Sequence, residues 1–246
     1  MRKLYINADN INDGKAIIKD QDARHLINVL RLTPGTQIEL CDGRGTDFKA
    51  EIETMSSRIV TLKILEKYSS PSESPAHITF AQGMLKDKKM DILVRHLTEL
   101  GIAEWVPFFA QRSIPKPDSK RIISRMERWK RIAKEALNQC GRSVLPRIGD
   151  PVPFNDLISQ YSGDYQKIIF WEKASCPLNS IRDQDNKTME KIIIIIGPEG
   201  GLTEDEIKFA WQYGFKTYSL GPRILRAETA SIAACSLIQN IFGDLT

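Results

Sequence analysis

The sequence predicts an α/β protein in two parts: a small N-terminal β-barrel and a larger, mainly parallel sheet with helices on both faces. Three observations carry that class. Five consecutive isoleucines, Ile192–Ile196, form a β-branched run suited to a strand buried on both faces and too short to cross a bilayer. The run stops at Gly197-Pro198-Glu199-Gly200-Gly201, and Thr203 with Glu206 then forms a capping box opening a helix to about Tyr213. From His77 onward strands alternate with helices, whereas the first 67 or so residues read as one helix among short antiparallel strands.

In chain order, Leu4–Ile6 and Ala16–Ile18 are short strands. Asp20 or Asp22 caps a helix carrying Ala23, Leu26, Ile27, Val29 and Leu30, which Pro34-Gly35 ends. Strands follow at Gln37–Cys41, Phe48–Glu53 and Ile59–Glu66, the first two joined by the hairpin signal Asp42-Gly43-Arg44-Gly45. Tyr68–Pro75 is rich in Ser and Pro and holds no large aliphatic residue, so it reads as a linker between a domain at 1–70 and one at 75–246. In the second domain, Ile78–Ala81 is a strand, Met90–Leu100 a helix stopped by Gly101, and Glu104–Pro107 the next strand. Pro115 and Pro117 break the chain before Asp118, which caps a long helix from Ser119 to about Cys140. Its apolar stripe is Ile122, Met126, Trp129, Ile132, Ala133 and Ala136, with Arg121, Arg125, Arg128, Lys130 and Lys134 largely off it. Phe154–Ser159 is a short helix and Ile168–Trp171 a strand. The glycine turn is then echoed by a strand at Lys216–Ser219, a loop Leu220-Gly221-Pro222 and a helix from about Glu228. Two such loops in series suggest one pocket with two walls.

Composition narrows the function classes. Apolar content of 41% and charged content of 27% are those of an ordinary globular protein. No apolar run approaches the roughly 18 residues of a membrane span, and no signal-peptide layout is seen, so a cytoplasmic protein with no membrane partner is expected. Cys41, Cys140, Cys176 and Cys235 are scattered without a C-x-x-C pair; they read as small core residues, and neither a metal site nor a disulfide framework is expected. Net charge is only +4, but residues 101–150 hold 11 Lys and Arg against 5 Asp and Glu. Such a concentration suits either a phosphate-facing surface or a solvated helical face.

A nucleotide phosphate is the first ligand to test against a strand–glycine–helix turn. The turn lacks the lysine and hydroxyl of G-x-x-x-x-G-K-[ST] and the spacing of G-x-G-x-x-G. Glu199 lies inside it, where a carboxylate would repel phosphate, so a ligand uncharged or cationic at that point fits better.

At this level of detail the residues resemble a known family. I-I-G-P-E-G-G at 195–201 followed by L-G-P-R-I-L-R-A-E-T-A at 220–230 is similar to the paired motifs of the RsmE family of SPOUT-class RNA methyltransferases. The resemblance extends to His25 with Val29-Leu30-Arg31, to Lys86, Glu99-Leu100-Gly101 and Arg112-Ser113, and to Glu135-Ala136, Gln139, Arg142 and Pro146. It implies a PUA-like barrel on a SPOUT domain whose C-terminal part threads a trefoil knot, which patterning alone would not suggest. It further implies S-adenosylmethionine as methyl donor, a homodimer formed through the knotted loops, and N3 of a uridine in small-subunit (16S) ribosomal RNA as the target. A sulfonium cation beside an uncharged adenine is consistent with an acidic glycine loop.

On that resemblance the donor is expected at Ile196, Gly197, Pro198, Glu199, Gly200, Gly201, Leu220, Gly221, Ile224, Leu225, Arg226, Thr229 and Ala230. Uridine N3 is protonated at neutral pH, so methylation needs a base or a group stabilising the anion. Arg226 is the candidate for positioning the base or stabilising charge on its oxygens, and Glu228 for accepting the proton or orienting Arg226. The bland alternatives are an Arg226–Glu228 ion pair and a helix-start carboxylate favoured by the macrodipole. Arg24, Arg31, Lys86, Arg112, Arg121, Arg125, Arg128 and Arg142 are the candidate phosphate contacts. Ribose 2′-O-methylation by the same class, and a non-catalytic RNA-binding assembly factor, are the competing functions.

Overall fold

In the computed structural model, residues 3–86, 88–114, 118–161, 163–181 and 191–245 are described; Asp87, Pro115 and Pro117, and with them the expected proline break, lie outside them. Two compact units result. One comprises Met1–Glu73 with Lys134–Leu145, and the other Ser74–Ala133 with Pro146–Thr246.

The first unit is a six-stranded sheet in the order β1-β4-β5-β6-β3-β2. Its strands are β1 (Lys3–Tyr5), β2 (Ile11–Asn12), β3 (Lys15–Lys19), β4 (Gln37–Cys41), β5 (Thr46–Met55) and β6 (Ile59–Ser69). Apart from the parallel β1–β4 pair, neighbours are antiparallel. Ile38, Leu40, Phe48, Ala50, Ile52, Val60 and Leu62 alternate inward around one core cluster, which makes the sheet curl. The β4–β5 hairpin forms as its sequence asks: the Asp42 carboxylate accepts from the Arg44 and Thr46 amides, while Gly43 and Gly45 take positive φ.

Three expectations for this unit need correction. The helix α1 (Asp20–Arg24) starts at Lys19 with no side-chain cap; Asp20 is in the left-handed region and Asp22 ion-pairs with Lys134 at 2.8 Å. It continues as a π-turn over His25–Val29, whose wider spiral takes Val29 off the apolar face and leaves it 65% exposed. The linker is shorter and tighter than its composition suggests. β6 runs to Ser69, and the Glu73 carboxylate accepts from Arg142 Nε and Nη2 and from the Ser143 and Val144 amides, at 2.6–3.2 Å. The recruitment of residues 134–145 is invisible to periodicity, because it depends on single polar contacts. Asn138 accepts from the Tyr5 amide, and Ser143 joins Lys3 and the fully buried Asp47.

The second unit is an all-parallel sheet ordered β10-β8-β7-β12-β11-β13, with β9 pairing β8. Its strands are β7 (His77–Gly83), β8 (Glu104–Phe109), β9 (Arg147–Ile148), β10 (Val152–Pro153), β11 (Gln166–Phe170), β12 (Lys191–Ile196) and β13 (Lys216–Tyr218). β9 and β10 are two-residue edge strands, too short for sequence periodicity to reveal. The isoleucine strand β12 lies between β7 and β11 with Ile192–Ile196 all buried, as a β-branched run requires.

Helices α2 (Lys89–Glu99), α3 (Ser119–Cys140), α4 (Phe154–Gln160), α5 (Glu204–Gln212) and α6 (Ala227–Phe242) complete the chain. Gly101, at positive φ, follows α2; Asp118 Oδ1 accepts from the Arg121 amide at the start of α3. α4 and α5 pack on one face over Val106, Phe108, Ile169, Ile193 and Ile195, while α6 packs against α2 and β12. The cysteines divide: Cys41 and Cys235 are buried, but Cys140 is exposed and Cys176 half-buried, so only the first two are core residues. Burial, with the Asp47 charge beside it, pushes the Cys41 thiol up to about 12, which makes it inert. No disulfide joins the four, no group of potential metal ligands occurs among the described residues, and no described helix is long and apolar enough to cross a membrane.

Candidate active site

The site is built where β12 delivers its chain into the first glycine loop. The Gly201 amide donates to the Pro198 carbonyl at 2.9 Å, closing a turn, and Gly201 sits at φ +71, where a side chain would be strained. The turn is held from outside by Arg112, whose Nη1 donates to the Gly200 carbonyl at 3.1 Å. The expected capping box then starts α5. Thr203 Oγ1 accepts from the Glu206 amide at 3.2 Å, and Glu206 Oε2 accepts from the Thr203 amide at 2.8 Å. The other oxygen of Glu206 takes the Gln111 amide, so this carboxylate also anchors the loop after β8.

The second loop leaves β13, whose Tyr218 carbonyl accepts from the Trp171 amide at 3.1 Å. Ser219 Oγ accepts from the Gly221 amide, and the chain enters α6 after Arg226, which occupies the cap position without a side-chain cap bond. A buried residue joins the first loop to α6. Gln82 Nε2 donates to the carbonyls of Gly197 (3.3 Å) and Gly83 (3.1 Å), and Gln82 Oε1 accepts from Ser231 Oγ of α6 at 2.6 Å.

Between the loops lies a cleft of about 570 Å³, the size of a small-molecule site. Ile196 to Gly201, Leu220, Gly221, Ile224, Leu225, Arg226, Glu228 and Ala230 line it, whereas Thr229 points elsewhere and is exposed. Phe170 at the end of β11, with Trp171 and Glu172 just after it, and Lys89 also line it, as do Leu202, Ser219, Pro222, Arg223 and Ala227. The sequence reading missed Phe170, Trp171, Glu172 and Lys89, as well as Gln82. Only the run Lys86-Asp87-Lys88-Lys89 at a strand–helix junction signals Lys89, and such a run ordinarily reads as a solvated face.

Lys89 dominates the electrostatics. Its Nζ lies 3.1 Å from Glu199 Oε1 and 3.4 Å from Glu228 Oε2. Glu199 Oε1 also accepts the Lys86 amide at 3.2 Å. Partial burial disfavours the Glu199 charge, but the bonds from the Lys86 amide and the Lys89 ammonium outweigh it and hold the carboxyl below its usual range. None of the described ion pairs joins Arg226 to Glu228, so the structural pairing weighed above is replaced by Lys89–Glu228; Arg226 stands exposed at the cleft. Two buried polar atoms of the lining, Trp171 Nε1 and Glu228 Oε2, have no hydrogen-bond partner. Unsatisfied buried groups beside a cleft suit a bound ligand.

The candidate phosphate contacts separate by environment. In the second unit Lys86 and Arg121 are exposed, Arg121 only 3.5 Å from Asp118, while Arg125 is half-buried and Arg128 pairs with Asp91 at 2.7 Å. Arg112 serves the first loop. In the first unit Arg24 and Arg31 are exposed. Arg142 must be withdrawn: it is 5% exposed, and its guanidinium is committed to Glu73, which fixes the chain rather than facing a phosphate.

An apolar wall, backbone donors and acceptors, and carboxylates gathered round one lysine fit a zwitterionic adenosyl ligand better than a polyphosphate. S-adenosylmethionine has that chemistry. Comparison with known proteins points the same way. Residues 72–239 match the family described as RNA methyltransferase domain, and residues 18–65 match the RNA methyltransferase PUA domain. Ribosomal RNA small subunit methyltransferase E of Bacillus subtilis is 34% identical over 226 residues, 90% of this chain and 88% of its own. The chain belongs to the ribosomal RNA small subunit methyltransferase E family.

Its solved relatives extend the likeness to three dimensions. The Neisseria gonorrhoeae member, crystallised bound to S-adenosyl methionine, superposes with a TM-score of 0.90 at 30% identity, over 100% of both chains. A Legionella pneumophila protein solved in complex with the bound cofactor SAM gives 0.88 at 30% identity, covering 99% of this chain and 98% of that one. Membership spans both loops, Gln82 and Lys89, all of which fall within the methyltransferase match.

Proposed function

We infer that this protein methylates N3 of a uridine in small-subunit ribosomal RNA, using S-adenosylmethionine. The observation that carries the reading is the cleft itself: two glycine loops enclose one pocket in which Glu199 and Glu228 gather round Lys89 and Arg226 stands at the lining. Backbone groups of Gly197 to Gly201 and Leu220 to Leu225, with Trp171 Nε1, hold the donor, which supplies an electrophilic methyl group on a sulfonium. Glu228, a carboxylate of the cleft lining held by Lys89, receives the N3 proton. The exposed Arg226 guanidinium faces the developing charge on the uracil oxygens. Arg24 and Arg31 on the PUA-like unit, and Lys86, Arg121 and Arg125 on the other, supply phosphate contacts.

The same reading includes a C-terminal segment threaded as a trefoil knot, a homodimer formed through it, and a cytoplasmic site of action. Ile224, 86% exposed, and Leu237, 43% exposed, are apolar side chains that such a dimer would cover.

The test is methyl transfer from labelled S-adenosylmethionine to naked rRNA and to small subunits from cells lacking this protein. The expected product is a base-methylated uridine that stops reverse transcriptase. Label on a ribose without a stop would indicate 2′-O-methylation, and no binding of S-adenosylmethionine by calorimetry would indicate a non-catalytic assembly factor. A further expectation concerns RNA affinity. Each of Arg121→Glu and Arg125→Glu should flatten the dependence of log K on log salt by about one unit. An unchanged slope would make these residues a solvated face.

A further inference from the structure

We propose that Lys89 is a positioning residue for methyl transfer: its ammonium, shared by Glu199 of the first loop and Glu228 at the start of α6, fixes where the Glu228 carboxylate stands. The proposal rests on the methyltransferase reading above and adds a residue to it. Lys89 is the first residue of α2, in a turn with no side-chain cap. That is the wrong end of a helix for a cation, because the amide-rich N-terminus favours negative charge. Helix stability therefore does not explain a lysine there. Two carboxylates brought from different loops do, at 3.1 and 3.4 Å. The Glu199 hydrogen bond, working against desolvation and helped by the charges of both glutamates and the contact to Glu228, raises the Lys89 pKa and keeps the group cationic.

A purely structural role for Lys89 is poorly supported. The tie from the first loop to α6 is Gln82, fully buried and bonded to Gly197 on one side and Ser231 on the other. Lys89, Glu199 and Glu228 side chains are 31%, 27% and 25% exposed, and ion pairs in contact with water add little to stability. Removing the ammonium would leave the cleft walls standing but place two carboxylates side by side with no countercharge. Repelled by Glu199, the Glu228 carboxylate would then no longer be held in place as a fixed acceptor. The Lys89 contact to Glu228 Oε2, at 3.4 Å, is longer than its 3.1 Å bond to Glu199, so it steers the Glu228 carboxylate while holding it less closely.

The experiment uses the full-length protein with Lys89→Met, Lys89→Arg, Glu228→Gln and the Lys89→Met/Glu228→Gln double variant. Melting temperature, Kd for S-adenosylmethionine and single-turnover methyl transfer to rRNA are measured for each. Lys89→Met should slow transfer roughly 10- to 100-fold, within the range of coupling between neighbouring groups, while donor Kd changes less than about threefold and melting is unmoved. Lys89→Arg should restore the rate to within about fivefold, since a guanidinium can serve both carboxylates. In the Glu228→Gln background, Lys89→Met should cost less than about threefold more, because its effect runs through Glu228. A Lys89→Met rate within twofold of wild type, full additivity with Glu228→Gln, or a loss matched by lowered melting temperature would each overturn the proposal. Absence of transfer by the wild-type protein to any rRNA would instead overturn the function on which it rests.

Discussion

Glu228→Gln should reduce single-turnover methyl transfer about 10²- to 10³-fold, in the range of general-base catalysis, with Kd for S-adenosylmethionine changed only a few-fold. Glutamine keeps the size and one accepting oxygen of the residue, and it removes the charge that makes the oxygen a base. The side chain adds little to stability instead: it is the second residue of α6, and its ion pair with Lys89 is partly exposed to water. A purely dipolar role at a helix start would contribute about 0.3–1 kcal/mol and would appear in melting rather than in turnover. Arg226→Ala should be comparably slow, about 10²-fold or more for loss of one donor to developing charge. Because no ion pair joins the two residues, each effect belongs to its own side chain. The measurement is a rapid-quench time course with saturating enzyme and labelled donor. Wild-type rates for either variant would remove that residue from the mechanism.

What the sequence made legible follows from the range of the interactions involved. The isoleucine strand, the Thr203–Glu206 box and the hairpin at Asp42–Gly45 are decided by residues within a few positions of each other, and they form as read. The two loops could be assigned to one pocket because each follows a parallel strand, and parallel strands end on the same side of a sheet. Lys89 and Gln82 escaped for the opposite reason. Lys89 meets Glu199 across 110 positions, and Gln82 meets Ser231 across 149. Neither partner is implied by local pattern. Arg142 shows the reverse error: a basic residue in a basic stretch reads as surface, yet Glu73, 69 positions earlier, takes its guanidinium into the interior. Likewise Val29 continues an apolar pattern only if the helix stays regular, and the π-turn rotates it into solvent.

Gly83→Ala should both destabilise the protein and weaken the donor site. Gly83 ends β7 beside Phe108 of β8, and it is buried against the first loop. A Cβ there would stand 2.5 Å from the Pro198 nitrogen, 2.6 Å from Pro198 Cδ and 2.8 Å from the Gly197 carbonyl carbon. All three are backbone or ring atoms, so no side chain can rotate out of the way. The loop cannot easily retreat either, since the Gly201–Pro198 turn and the Gln82 bond to Gly197 hold it. Overpacking of this kind costs about 1–3 kcal/mol, a fall in melting temperature of roughly 2–12 °C for a chain of this size. Part of that strain would be relieved by moving the loop that forms one wall of the cleft, and each 1.4 kcal/mol withheld from donor binding is about tenfold in Kd. Calorimetry should therefore show affinity for S-adenosylmethionine reduced about tenfold or more. Gly163→Ala provides the contrast: nothing lies within 4 Å of its would-be Cβ, and its φ is not in the left-handed region. That variant should bind and melt as wild type. If Gly83→Ala did the same, the close packing of β7 on the first loop would not be what shapes the cleft.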